Sequence, residues 1–381
     1  MKKYEGHLYI TGNQAVAHAV RQCNVEVIAA YPITPQTTII ETLADFIAEG
    51  SLRAKMSLLE SEHSAMAACI GASWAGARVF TATSSQGLLY MCEMLHWAAR
   101  GRFPIVMAVA NRGLAPSWTI KNDHSDAMSQ RETGWIQIYA STVQEAYDSV
   151  IQAYRVGEDK RVLAPVMVNL DGFTLSHIMQ PMELIKDELV SEFVGEVDIP
   201  HKLDFDNPFV FGSNMEPDDY MREKENFAKG VSRAESVLME VENEFEKISG
   251  RKYGAVEKYR TEDAEIVFIS AGTIAKEAEI AVDRLREKGI KAGALRIRLL
   301  RPFPKKEVGE IDAEKIIVAN RAFSPGSDAQ LTQDVKCALF DAGKTPEVIS
   351  VVCGLGGKEV TAEDFMKMSE LRAAGEEVWW I

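Results

Sequence analysis

KMSLLESEHSAMAACIGASWAGARVFTATSSQGLLYM, residues 55–91, passes twice through one cycle: a short apolar run, a polar turn, then a helical pattern. Lys55–Leu59 and Arg78–Thr83 read as strands, and Glu62–Ala77 and Leu88–Arg100 as helices. The turns Glu60-Ser61-Glu62-His63 and Ser84-Ser85-Gln86-Gly87 stand where each strand gives way to its helix. Alternation of this kind predicts an α/β fold whose parallel strands are covered by helices on both faces.

The same cycle extends outward. Further strands are predicted at Glu26–Ile33, Pro104–Asn111, Ile136–Tyr139 and Val162–Leu170, with helices at Thr37–Glu49, Ser125–Thr133 and Val143–Gly157. VIAAYPI (27–33) and PIVMAVA (104–110) are apolar almost throughout, as strands buried on both faces must be. From about Leu184 the pattern breaks. Residues 185–215 carry scattered prolines and acids and read as an extended crossing segment, and Asp218–Ile248 as one long bracing helix. A second α/β unit follows, with strands Glu265–Ser270, Ala292–Leu299, Lys315–Ala319 and Val348–Val352 and helices Ile274–Lys288, Asp328–Ala342 and Ala362–Ala374. A length of 381 residues supports two domains, since one core stops growing at roughly 250–300. The expected division is 1–184, a crossing segment and linker helix over 185–260, and a smaller domain over 261–381.

Charge and cysteine usage narrow the function. A net charge of -14 argues against nucleic acid or an anionic membrane as a main partner. No run approaches the ~18 apolar residues of a membrane helix, and MKKYEGHLYITGN lacks an apolar stretch of signal-peptide length. The five cysteines are scattered, with no CxxC pair, which fits a reducing cytoplasm and argues against an iron–sulfur cluster held by this chain. All seven histidines lie at or before His201, so any histidine chemistry belongs to the first half. His63 and His96 lack metal-ligand spacing, and no metal site is expected. LLYMCEMLHW (88–97) falls at helical spacing and reads as core, and GLGG (354–357) as a tight turn.

Ligands of open parallel sheets sit beyond the carboxyl ends of the strands. Four strands bring Thr34-Pro35-Gln36-Thr37, Glu60 to His63, Ser84 to Gly87, and Arg112-Gly113 to that rim. Each has a plain structural explanation. Thr34 or Thr37 can cap a helix, Glu62 can compensate a helix dipole, Gln86-Gly87 can make a turn, and Arg112 can be an exposed charge. Their convergence favours a site without naming its ligand.

These residues lie in segments that resemble a known family. AAYPITPQT (29–37), LLESEHSAMAACIGASWAGAR (58–78), FTATSSQGLLYM (80–91) and NRGLAPSW (111–118) resemble the alpha subunit of 2-oxoacid:ferredoxin oxidoreductases, closest to the pyruvate enzyme. DHSDAMSQRETGW (123–135), DGFTLSHIMQPMEL (171–184) and RLLRPFP (298–304) continue the resemblance over nearly the whole chain. The resemblance implies a pyrimidine-type thiamine-diphosphate-binding domain followed by a transketolase C-terminal-like domain that mainly builds subunit contacts. Glu62 would hydrogen-bond N1′ of the cofactor's aminopyrimidine, with Pro32, Ser85, Gln86 and Gly87 beside it. Arg112 and Thr34 would line the 2-oxoacid site, the first as a bidentate partner for the carboxylate.

The family's GDG segment for diphosphate and magnesium is absent from this chain. The resemblance therefore implies a beta subunit supplying the diphosphate–Mg2+ half, with iron–sulfur clusters in a ferredoxin-like subunit and a gamma-type subunit. The implied reaction is oxidative decarboxylation of a 2-oxoacid with CoA to acyl-CoA, reducing ferredoxin. Pyruvate is the first expectation. Branched-chain or aryl 2-oxoacids such as 2-oxoisovalerate and phenylglyoxylate are the alternative, and a non-catalytic scaffold is an alternative of another class.

Overall fold

The computed structural model describes residues 3–4, 7–208, 210, 212–372 and 378–381. The alternation in the first half becomes a seven-stranded sheet. Its order is Leu299–Arg301, Ile136–Tyr139, Val166–Asp171, Val106–Asn111, Val79–Thr83, Val27–Ala30, Lys55–Leu58. Every neighbouring pair is parallel except the first, which is antiparallel. The four central strands from Ile136–Tyr139 to Val79–Thr83 are buried along their whole length, so even their polar residues, among them Gln137, Thr81 and Asn169, lie inside.

A second sheet orders Val256–Tyr259, Ala292–Ile297, Ile266–Ala271, Lys315–Asn320, Glu347–Val352 and Trp379–Trp380. All but the Val256–Tyr259 edge run parallel. A third sheet of three antiparallel strands, Lys3–Tyr4, His7–Thr11 and Met179–Met182, closes the first domain. It leads into the helix Gly12–Gln22, which begins with a capping box between Thr11 and Gln14. Neither His7–Thr11 nor this helix is visible as a pattern in the sequence. The helix is buried nearly all round, and its buried Asn13, His18 and Gln22 interrupt the apolar face.

Several expected elements divide. The predicted strand Ala292–Leu299 splits at Arg298, with Ala292–Ile297 in the second sheet and Leu299–Arg301 at the edge of the first. The chain thus stitches the two sheets together. The predicted helix Leu88–Arg100 is two, Ser85–Tyr90 and Cys92–Arg100, parted at Met91. Leu88, Met91 and Leu95 of that stretch are core as expected, whereas Tyr90 and Trp97 are exposed.

The crossing segment is not extended throughout, because Asp187–Val194 is helical. The long bracing helix is also two, Pro217–Ser232 and Ala234–Ser249, separated by a turn at Arg233. The break lets each half take its own partner. Val237, Leu238, Val241 and Phe245 join the first-domain core, while Phe227 packs over Gly134. The helix predicted over Ala362–Ala374 spans Ala362–Met368, and residues 373 and 374 lie outside the described residues.

Candidate active site

The carboxyl ends of Lys55–Leu58, Val27–Ala30, Val79–Thr83 and Val106–Asn111 lie side by side, so their turns share one rim. Glu62 begins the helix Glu62–Trp74, whose N-cap Ser61 accepts the Ser64 N–H at 3.2 Å. Its side chain is 7% exposed and accepts no hydrogen bond from any described residue. The space beside it exists because residue 87 is glycine. A Cβ there would collide with Glu62 Oε1 and lie 2.6 Å from Thr83 Oγ1. That Thr83 hydroxyl is itself buried without a partner. A carboxylate, an orphan hydroxyl and a missing side chain therefore meet in one slot.

Arg112 follows the strand Val106–Asn111 and is 8% exposed. Its Nη1 donates to the Thr34 carbonyl at 2.5 Å, Nη2 reaches Gln86 Oε1 at 3.4 Å, and the guanidinium lies 4.9 Å over the Trp118 ring. Its Nε is buried with no partner. No carboxylate of the described residues forms an ion pair with it. Burial pulls the guanidinium pKa down, and the more distant charges of Asp126 and Glu62 oppose that pull. An inward-facing cation without a counter-ion favours an incoming anion.

Beneath these groups lies a residue that reading strand ends alone overlooks. Asp126 is fully buried, and its Oδ2 accepts the backbone N–H of Ser85 at 2.9 Å and of Arg112 at 3.0 Å. Its Oδ1 accepts Asn111 Nδ2 at 2.8 Å and the Ala127 N–H at 2.7 Å. Burial pushes its pKa up to about 6, while these four donors pull the other way. In the sequence Asp126 looks like one more acid in a helix's first turn.

The structure brings together Glu62 and Gly87 by close approach, Gln86 and Arg112 by hydrogen bond, and Arg112 and Thr34 through the Thr34 carbonyl. The Thr34 hydroxyl has no described partner, and Thr34 and Pro32 stand exposed on the open side. Ser85 is buried and serves the turn. At φ 50°, its hydroxyl lies 2.7 Å from Gly113 O and 2.6 Å from Gln86 Oε1. Among the described residues no group of three His, Cys, Asp or Glu side chains is placed to hold a metal, and no helix is long and apolar enough to cross a membrane.

The fold and rim define a class: an α/β protein with an unneutralised arginine and a buried carboxyl group where its parallel sheet ends, the place such sheets present to ligands. Residues 18–243 match the family described as pyruvate flavodoxin/ferredoxin oxidoreductase, thiamine-diphosphate-binding, and residues 264–365 match pyruvate:ferredoxin oxidoreductase core domain II. The chain is 45% identical to the pyruvate synthase subunit PorA of Thermotoga maritima over 97% of its own length and 95% of that protein's. It is 44% identical to the ketoisovalerate oxidoreductase subunit VorA of Pyrococcus horikoshii over 97% and 96%. In structure it is similar to the 2-oxoglutarate:ferredoxin oxidoreductase of Magnetococcus marinus. The TM-score is 0.75 at 21% identity, over 96% of this chain and 65% of that one. A split-gene transketolase shares the fold more loosely, with a TM-score of 0.56 at 14% identity over 95% of this chain and 97% of that one. The chain belongs to the pyruvate flavodoxin/ferredoxin oxidoreductase family, and its relatives are subunits of enzymes.

Proposed function

We propose that this chain is the alpha-type subunit of a cytoplasmic 2-oxoacid:ferredoxin oxidoreductase that converts pyruvate and CoA to acetyl-CoA and CO2. The observation that carries the reading is the pairing of a partnerless carboxylate, Glu62, with an unneutralised arginine, Arg112, on one rim. The absence of a side chain at Gly87 lets the Glu62 carboxylate lie against the turn that follows Val79–Thr83, at the rim where the aminopyrimidine would be held. Thiamine diphosphate, when bound, supplies the nucleophilic carbon that attacks the 2-oxo group and the sink for electrons left by CO2.

The residues of this chain orient that chemistry. Glu62 would hydrogen-bond a ring nitrogen of the aminopyrimidine and relay its proton. Arg112 receives the substrate carboxylate, with Gln86 and the Thr34 carbonyl fixing the guanidinium plane. The Thr34 hydroxyl, free of described protein partners, is available to the substrate carbonyl as negative charge develops. A beta subunit carrying the diphosphate and Mg2+ completes the site. The exposed Tyr31, Leu58 and Tyr90 around the rim support an apolar partner surface there. Iron–sulfur clusters in further subunits carry the electrons to ferredoxin.

Glu62→Gln in the reconstituted complex tests the assignment. Pyruvate-dependent dye reduction is expected to fall roughly 10²–10⁴-fold. A rate close to wild type would remove Glu62 from the mechanism. The near-equal identity to pyruvate and ketoisovalerate relatives favours one second reading, the same chemistry on a branched-chain 2-oxoacid. The ratio of kcat/KM for pyruvate and 2-oxoisovalerate in the whole complex decides between them.

A further inference from the structure

The segment Asn122–Met128 is gripped from two sides. On one side Asp126 holds Ser85 and Arg112 by their backbone N–H groups. On the other, two residues earlier, His124 is tied to the second domain. Its backbone N–H donates to the Arg321 carbonyl at 2.7 Å, and its Nε2 lies 2.5 Å from Asp171 Oδ1. Asp171 ends the strand Val166–Asp171 and is 1% exposed. Its Oδ2 accepts Arg321 Nη1 at 2.7 Å, the Thr273 N–H at 2.9 Å, and the Thr273 hydroxyl. Gly272 permits this approach, since a Cβ there would lie 2.7 Å from Asp171 Oδ1 and 3.0 Å from His124 Cε1. Arg321 and Thr273 both come from the second domain, so its first βα turn and the end of its Lys315–Asn320 strand reach into the first.

We propose that Asp126 is a positioning residue for the 2-oxoacid. It sets the Arg112 backbone against that of Ser85, and the second domain holds it in register through the Asp171 clamp. The inference rests on the reading that Arg112 receives the substrate carboxylate. Its chemical basis is that all four contacts of Asp126 are N–H donors. Only a group with acceptors on both sides satisfies them. An amide would turn its own N–H2 toward two of those donors, releasing either the Ser85–Arg112 pair or the Asn111–Ala127 pair. Asp126 touches no reacting atom. It acts on binding geometry through Arg112, so its loss should appear in KM more than in kcat.

The test uses the complete reconstituted complex. Asp126→Asn is expected to raise KM for pyruvate roughly tenfold, with a smaller change in kcat per intact site. Combining Asp126→Asn with Asn111→Asp reverses the hydrogen bond between the two side chains. The new amide then donates across the pair and keeps its oxygen for Ser85 and Arg112, so KM should return part of the way, the Ala127 N–H alone being left unmatched. A purely structural role predicts a lower melting temperature and less active complex with KM unchanged, and that result overturns the proposal. Should Asp126→Asn not fold, Thr273→Val loosens the clamp at a half-buried position in the second domain. It is expected to raise KM about two- to threefold; an unchanged KM overturns the clamp. A wild-type complex indifferent to every 2-oxoacid would instead refute the functional reading beneath.

Discussion

Arg298 and Arg112 are both buried arginines, yet their surroundings are opposites. Arg298 sits where the chain leaves the second sheet for the first and is 0% exposed. Its N–H groups donate to Glu145 and Glu242 carboxylates at 2.9 and 2.8 Å, to Gly254 O at 3.1 Å, to Ser149 Oγ at 3.0 Å and to Gln152 Oε1 at 2.6 Å. Arg296 adds a second guanidinium on Glu145 at 2.9 Å. Burial works against ionising Glu145, but the two arginines outweigh it and lower its pKa. Arg112, in contrast, has a carbonyl, a long contact to Gln86, an indole face and an orphan Nε. A fully satisfied buried cation holds a structure together, whereas an incompletely satisfied one at a rim has donors left to offer a ligand.

That contrast is broken most directly by removing each cation. Arg298→Met leaves Glu242 without its ionic partner and Glu145 with one, and should cost about 3–5 kcal/mol in denaturant unfolding. Arg112→Met should cost no more than about 1 kcal/mol of stability, because no carboxylate is stranded, yet lower kcat/KM for the 2-oxoacid at least roughly 100-fold. Equal stability losses would erase the distinction.

A smaller effect is expected at Gly87. Gly87→Ala should lower kcat roughly tenfold by displacing the Glu62 carboxylate, and lower the melting temperature by a few degrees (roughly 1 kcal/mol), since the new Cβ also presses on the buried Thr83 hydroxyl. Unchanged kcat would mean that the slot is not where Glu62 works.

The smallest effect sharpens the comparison through two buried aspartates. Burial raises Asp126 to about 6, so its folded-state pKa lies above the unfolded value. Its contribution favours the fold in acid and is lost as pH rises through about 6. Asp171 goes the other way: burial opposes ionisation, but His124 and Arg321 hold it well below the usual carboxylate range. Its contribution is present at neutral pH and is lost as pH falls below about 4. Melting curves against pH should therefore show the wild-type advantage over Asp171→Asn shrinking in acid. The difference from Asp126→Asn should drift toward the variant between about pH 4 and 7. Parallel slopes for the two variants would contradict the opposite pKa directions.

The strands and their polar turns are legible in the sequence because burial on both faces demands continuous apolar runs, and position at a strand end singles out Glu62, Gln86 and Arg112. The residues that set these side chains in place are less visible. Asp126 follows a short helix start and resembles a dipole-compensating acid until the Ser85 and Arg112 N–H groups are seen converging on it. Arg298 reads as one residue within a strand, because nothing local announces that its neighbours belong to different sheets. The turn at Arg233 is hidden likewise, since a 3.6-residue pattern continues across it.

By itself the sequence determined the α/β class, the rim and most of the residues on it, since hydrophobic periodicity and turn chemistry are local properties. Only the tertiary structure decided which charges are satisfied. Satisfaction depends on partners more than 100 residues away, such as Arg298 on Glu145 and Arg321 on Asp171. The difference between a fully satisfied arginine and one with donors left over lies in those distant contacts.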